Sequence, residues 1–375
     1  MFIIKLIFWV SFTILFYTWV GYPSIIYLLT KIKRKPKVPT TPDELPLVSI
    51  IIAAYNEEEV IARRIENLLK QDYPKEKMEI IVASDGSTDR TVEIAKKYES
   101  QGVRILDFKK NRGRAAVHND AVDVAKGEIL LFTDAETIFE KDFIKNGVKW
   151  LANNRYGCAA GEFEFYYKDD IGRSENIYWK IEKKMRYWEF WLDILPFASG
   201  GCFFIRKELY EKIPYYSDID NLLTLSTIAK GYKIFYAKDA KAYDFAVQGE
   251  KSYFKKRVRT TLRSFGDMLN YIPVLLKKKK WVTLWVLFSH RILRWLTGFF
   301  MGILFILNSI ILISGELLYW GFFLTQIIFY SFAIAGKYQK LKIGRIFYSF
   351  LLANLASSIA IINLLIGKRI FSYKS

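Results

Sequence analysis

The chain of 375 residues predicts an α/β fold with a doubly wound, mostly parallel sheet, flanked by N-terminal and C-terminal transmembrane helices. Three observations predict it. Between the two ends, short β-branched apolar runs alternate with stretches of helical length, the pattern of a parallel sheet with helices on both faces. Both ends carry apolar stretches of bilayer-spanning length, roughly 20 residues or more. The basic residues behind the formal net charge of +18 gather beside those stretches.

Near the N-terminus, "IIKLIFWVSFTILFYTWVGYPSIIYLL" carries one early lysine and no acid. A cleaved signal peptide has an apolar core of about 7–15 residues and a small-residue cleavage site. This stretch is longer, with bulky flanks, so residues 1–36 are expected to stay as an anchor. "KIKRKPK" follows, and "PKVPTTPDELP" marks a linker over residues 37–46. The soluble segment, residues 47–275, opens with the strand-like runs "LVSIIIAAY", "MEIIVASD", "VRILDF" and "EILLFTD". Between them, "EEEVIARRIENLLKQ" and "TDRTVEIAKKYESQ" read as helices. No internal repeat is visible, and the lysine run is the only low-complexity tract.

Residues 276–375 form the last segment, and from about residue 281 the chain turns apolar again. "WVTLWVLFSHRILRW" mixes tryptophans with His290, Arg291 and Arg294, which suits a helix lying in the membrane interface. Candidate spans follow near residues 292–313, 317–335 and 346–366; buried core helices of a soluble protein are the other reading. Lysines and arginines beside spans mark the cytoplasmic side. "KIKRKPK" and Lys277 to Lys280 therefore predict a multi-pass cell-membrane protein with the segment between them in the cytosol. Three crossings after that segment leave the basic tail "GKRIFSYKS" outside, so either one candidate does not cross or the tail departs from the rule. Cys158 and Cys202 alone give neither a disulfide framework nor a thiolate zinc site.

In such sheets, ligands bind beyond the carboxyl ends of the strands, and that is where "AAYNEEE", "SDGSTD" and "TDAET" fall. Each has a plainer reading, since Asn56, Glu57, Ser87 or Thr88 can cap the next helix. Asp134 and Glu136 are the sharper signal. Two carboxylates one residue apart on the turn after a strand, with no lysine or arginine near in sequence, repel each other unless a cation or solvent compensates. They can share Mg2+ or Mn2+ with the oxygens of a diphosphate, because magnesium keeps several non-protein ligands.

"VSIIIAAYNEEEVIARRIENLLKQDYP", "EIIVASDGSTDRTVEIAKKY" and "NRGRAAVHNDAVDVAKGEILLFTDAET" resemble the nucleotide-sugar half of the family 2 glycosyltransferases, inverting enzymes of GT-A fold, over roughly residues 47–245. The flanking anchors resemble its membrane-bound branch, which includes cellulose, hyaluronan and poly-N-acetylglucosamine synthases. The resemblance implies a nucleotide-sugar donor, with a UDP-sugar expected. Backbone around Ala53 and Tyr55, with Glu57, would hold the nucleoside, and Asp85 the base or ribose. Arg114 stands where the family often has lysine and would pair with a diphosphate oxygen. Asp134 and Glu136 fill the place of the DxD motif, with glutamate in the second position a departure.

On the acceptor side, "FASGGCFFIRKELY" places Gly200, Gly201 and Arg206 on the family's motif, although a plain turn before an edge strand also explains the glycines. In "YYSDIDNLLTLSTIAKGYKIF", counting back from Gly231 puts the family's catalytic aspartate at Asp220, with Asp218 the rival because Ile219 replaces the usual preceding acid. As a general base it would take a proton from an acceptor hydroxyl. The "QxxRW" motif of processive synthases is broken in "FKKRVRTTLRSF", which has Lys256 for the glutamine and Thr260 for the tryptophan. Arg257, Arg259 and Arg263 would meet the diphosphate, or a basic helix would lie on anionic lipid. A single transfer to a lipid-linked or glycan acceptor at the inner face of the membrane is thus expected over processive synthesis. A non-catalytic nucleotide- or glycan-binding membrane module would be expected to lose its acids. Nucleic acid is not an expected partner, because the lysines are juxtamembrane rather than interleaved with aromatics on one face.

Overall fold

The computed structural model describes residues 1–37, 39–166, 170–245, 249–338 and 343–367, of 170–178 the backbone alone. Val38 of the linker and the basic tail 368–375 lie outside the described residues. One sheet of eight strands runs in the order β3-β2-β1-β4-β7-β6-β8-β5. Its strands are β1 Val48–Ala54, β2 Met78–Asp85, β3 Val103–Phe108, β4 Ile129–Asp134, β5 Ile138–Phe139, β6 Tyr156–Tyr166, β7 Phe203–Arg206 and β8 Lys233–Phe245. The soluble helices are α2 Ile61–Leu69, α3 Thr91–Lys96, α4 Arg114–Val124, α5 Phe143–Leu151, α6 Asp170–Trp191, α7 Ile219–Ala229 and α8 Glu250–Lys277. Among the described residues, four further helices are long and apolar enough to cross a membrane: α1 Phe2–Ile32, α10 Thr297–Ser314, α11 Leu317–Lys337 and α12 Gly344–Leu365. Between α8 and α10, residues 281–295 form a broken helix, α9, with a π turn at Leu287–Ile292.

The first four strands fall on the four apolar runs of the sequence. They pair in parallel, β3 to β2 to β1 to β4, and β1 is buried along nearly its whole length, so its run is apolar without alternation. Register places Ala53 opposite both Ala83 and Asp134. The carboxyl ends of β1, β2 and β4 are therefore level, and the loops that follow share one rim.

α2 begins later than the run "EEEV" suggests. Loop contacts compete for the first turn: the Glu57 and Glu58 N–H groups donate to Thr91 Oγ1 at 2.7 Å and Asp89 Oδ2 at 3.1 Å. Asn56 takes a left-handed φ of 55° there, and its side-chain oxygen accepts the Thr88 N–H at 2.8 Å. These bonds stitch the loops after β1 and β2 together.

β7 pairs antiparallel with both β4 and β6. It is an interior strand, which corrects the edge-strand reading of "FFIRKELY". The main core is continuous across the sheet and the flanking helices. Tyr22 and Ile26 of α1, Trp295 of α9 and Ile361 of α12 belong to the same buried cluster as Ile50, Phe132 and Phe204.

The basic residues of α9 turn inward. His290 and Arg294 are buried against two acids of α6. His290 Nε2 lies 2.9 Å from Glu182 Oε2 and its Nδ1 2.5 Å from Glu189 Oε1, while Arg294 donates to Glu182 at 2.8 Å.

Candidate active site

The rim of β1 and β4 carries a cluster of acids. Asp134 ends β4, and Glu136 stands in the short loop before β5. β5 pairs with β8 at Tyr243 and Ala242, which brings Asp244 to the same place. Burial, then the charges of Glu136 and Asp134, push the Glu57 carboxyl up to about 7. Burial and Glu136 likewise push Asp244 up to about 7. Burial raises Glu136 too, against the pull of Lys256 on α8.

Two cations answer these acids. Arg114, the first residue of α4, forms an ion pair with Asp134, so the acid without a basic neighbour in sequence has one in space. Arg64 is buried beneath it, donating to Thr133 Oγ1 at 2.8 Å and stacked 3.9 Å from the Phe139 ring centroid. Thr133 in turn donates to the Gly201 carbonyl at 3.0 Å.

The turn at Gly200 and Gly201 sits between the rim acids and Asp220. A β-carbon on Gly201 would lie 2.7 Å from the Phe163 ring and 3.1 Å from Asp134 Oδ2, and one on Gly200 would lie 3.5 Å from Asp220 Cγ. Only a bare backbone fits between ring and carboxylate. Asp220 starts α7 and lines the cavity described below. Burial, then the Asp218 carboxylate, push its carboxyl up to about 6. Asp218 is engaged elsewhere: its Oδ1 takes Arg263 at 3.3 Å and its N–H donates to Asp267 Oδ2 at 3.1 Å.

Three sequence assignments change. Arg206 is not on the acceptor side: it pairs across β4 with Ile129, at the end of the strand opposite Asp134. Its guanidinium donates there to the Tyr156 and Leu151 carbonyls. Asp85 is nearly fully buried, and its two oxygens accept the N–H groups of Arg112 at 2.7 Å and Gly113 at 2.8 Å. These bonds hold the loop that delivers Arg114, and they engage both of the oxygens expected to meet a base or ribose. Arg263 is spent on Asp218, so of the three α8 arginines Arg257 lines the cavity, while Arg259 is half-buried with its charge felt at Asp218. Ala53, Tyr55 and Glu57 do lie on the rim. The sequence reading missed Asp244, Arg64 and Lys256 as members of the site.

A cavity of about 540 Å³ begins at Asp134, Asp220 and Asp244 and runs past Lys256, Arg257 and the α9 residues His290, Arg291 and Arg294. Its far wall is Trp19 of α1 with Phe350, Asn354 and Ser357 of α12. One continuous space thus joins the rim acids to helices long enough to cross a membrane.

Among the described residues no three His, Cys, Asp or Glu side chains are set to hold a metal. Asp134 and Glu136 still fit a hard divalent cation. They are oxygen donors among acids whose repulsion still raises Glu57 and Asp244 despite Arg114 and Lys256, and such an ion completes its shell with diphosphate and water.

Residues 49–214 match the family described as Glycosyl transferase family 2. Among curated relatives, glycosyltransferase AglE of Haloferax volcanii is 33% identical over 33% of this chain and 41% of its own. The probable glycosyltransferase YdaM of Bacillus subtilis is 26% identical over 68% of this chain and 64% of its own. The chain thus spans less than two thirds of either relative. The solved mannosyltransferase PcManGT from Pyrobaculum calidifontis, in complex with GDP-Man and Mn2+, superposes with a TM-score of 0.71 at 19% identity, covering 95% of this chain and 99% of that one. The fold class is the one the sequence predicts.

Proposed function

Because residues 49–214 form a family 2 glycosyltransferase domain, we propose that the chain is an inverting, metal-dependent glycosyltransferase. It moves a sugar from a nucleoside-diphosphate sugar to a lipid-linked acceptor at the cytosolic face of the membrane. The observation that carries the acceptor is the cavity, which reaches from Asp220 to Trp19 and Phe350. A water-soluble acceptor needs no such passage, whereas a lipid-linked one brings its tail to the spans and its hydroxyl to the base. The nucleotide sugar and manganese bound by the mannosyltransferase of like fold support the donor class and the metal.

In this reading Asp220 accepts the proton of the acceptor hydroxyl, within hydrogen-bond reach and with a pKa near the working pH. Arg114, which pairs with Asp134, would meet the diphosphate oxygens. Asp85 fixes the loop from which Arg114 projects, and Lys256 and Arg257 close the leaving-group side with positive charge. Asp134 and Glu136 would hold Mg2+ or Mn2+, which supplies charge neutralisation to the leaving diphosphate. Transfer is single in this reading, because Thr260 stands where the processive synthases carry the motif tryptophan.

The test is direct. Purified protein in nanodiscs made from its native lipids is given a panel of nucleotide sugars, and products are identified by mass spectrometry. A glycosylated lipid from one donor is expected. Transfer only to soluble glycans would sink the acceptor reading, and release of free sugar alone would sink transfer itself.

A further inference from the structure

We infer that α12, although long and apolar enough to span, does not cross the membrane but lies in the interface on the catalytic side as the roof of the cavity, with its outer face against the inner leaflet. α12 and α8 run parallel and in step. Tyr348 donates to Glu250 at the start, Val258 and Leu262 cluster with Ala356 and Ala360 in the middle, and a β-carbon on Gly266 would lie 3.9 Å from Leu364 at the end. The partner numbers differ by 98 at the first contact and again at the last, so the two helices stay side by side for roughly 24 Å at 1.5 Å per residue.

α8 belongs to the catalytic face. Asn221 beside the candidate base donates to its Ser264 at 2.7 Å, and Asp267 holds the Asp218 N–H. Leu364, near the end of α12, shares a small cavity with Asp267 and Tyr216. A crossing helix would carry that end across roughly 30 Å of hydrocarbon, away from the sheet.

The other end of α12 is on the same side. Its Gly344 abuts Gly336 at the end of α11. α10 starts beside Trp19, whose ring N–H donates to Thr297 at 3.1 Å, and ends near the far-side pair of Lys5 and Glu316, from which α11 returns. The middle of α12 makes the same point. Asn354 and Ser358 touch Gly298 at the very start of α10, whereas a crossing helix would set its midpoint against the middle of α10, where Asn308 donates to Gln326.

Its two faces fit this placement. Ser349, Ala353, Asn354 and Ser357 line the cavity, while Leu355, Ile359, Ile362 and Ile366 are exposed at helical spacing. In its most apolar stretch 39% is buried in the protein, against 11–22% in the other three candidates. In sequence, Lys337 before it, Arg345 in its first turn, and Lys368 and Arg369 after it suit an anionic inner leaflet. With three crossings in all, the basic tail stays on the catalytic side, and the conflict with the positive-inside rule disappears.

Single cysteines at Lys278, Ser314 and Ser372 in the full-length protein test this, since Cys158 and Cys202 are both buried. In intact cells an impermeant thiol reagent should treat Ser372→Cys like Lys278→Cys and opposite to Ser314→Cys, whichever side is labelled. Ser372→Cys behaving like Ser314→Cys overturns the placement, as does all three sharing one side. Nitroxides at Leu355, Ile359 and Ile362 in nanodiscs should report one shallow depth. A gradient approaching the roughly 10 Å that seven residues of a crossing helix would give overturns it equally. These readouts do not depend on activity, so they stand apart from the failure of the proposed transfer.

Discussion

At the scale of single residues, two neighbouring aspartates have different uses. Both line the cavity, but Asp218 is tied to Arg263 and Asp267, while Asp220 stands beside Gly200. Asp220→Asn keeps the shape and removes the base, so transfer should fall by roughly 10²- to 10⁴-fold while donor binding persists; Asp218→Asn should mostly lower stability. A larger loss of turnover in the second variant would reverse the assignment. The pH dependence has a defined sign. As the proposed base, Asp220 must be ionised to act; burial and then Asp218 raise its pKa, and Arg114 and Arg291 lower it. The rate kcat/KM should therefore drop as pH falls through about 6, and the step should vanish in the Asn variant. Asp134→Asn and Glu136→Gln should each weaken metal-dependent donor binding, and wild-type transfer should stop with a chelator and return with Mg2+ or Mn2+. Chelator-resistant transfer would show these acids to be a solvated turn. Arg64 was legible in principle, because Ile61, Arg64, Ile65 and Leu68 share one helical face, and a charge on an apolar face asks for a partner.

At the scale of elements, the parallel half of the sheet was readable because each strand is buried on both sides and shows as an unbroken apolar run. The mixed half, in which β6 and β8 pair in parallel and β7 and β5 run antiparallel to their neighbours, was less so. β8 runs for 13 residues, buried without a break over Ile234–Ala237 and alternating in exposure only from Asp239 on, and its Asp244 joins the site where β5, two residues long, pairs with it. No local pattern announces a contact across that distance in sequence. Arg206 went wrong for a related reason, since the motif gives its neighbour in sequence but not the direction in which β7 carries it away from the site. The turn before β7 makes this testable. Gly201→Ala drives a methyl against the Phe163 ring and toward Asp134, so transfer should be lost at a stability cost of about 1–3 kcal/mol. Arg206→Lys should lower the melting temperature and leave turnover of the folded enzyme near wild type, as measured by active-site-normalised rates. A turnover defect like that of Gly201→Ala would put Arg206 back at the acceptor.

At the scale of the whole molecule, anchor and enzyme are one folded unit rather than beads on a linker. A polar chain leads from the first span to the catalytic turn: the Tyr22 hydroxyl donates to Glu189 at 2.7 Å, Glu189 meets His290, His290 meets Glu182, and Arg186 joins Glu182 at 3.0 Å to Ser199 at 2.9 Å. Ser199 precedes the glycine turn. Although burial raises the Glu182 carboxyl, His290 and the arginines around it hold it well below the usual range, so it is ionised inside the protein. Buried charges of this kind are costly without partners, and breaking such a set costs on the order of 3–5 kcal/mol, a large part of the 5–15 kcal/mol that keeps a typical domain folded. A fragment of residues 37–280 loses Tyr22 and Ile26 from the core and strips His290 and Arg294 from Glu182 and Glu189. That fragment should aggregate or give no cooperative melt by circular dichroism, although it contains every rim acid and Asp220. In the full chain, Glu182→Leu should unfold at lower temperature and expose the catalytic segment to protease, whereas Tyr22→Phe, which removes one hydrogen bond worth roughly 1.5–3 kcal/mol to a charged group, should stay folded. A monomeric 37–280 fragment with a sharp transition would show that the charged chain between span and turn is dispensable, and that the catalytic segment stands without its membrane helices.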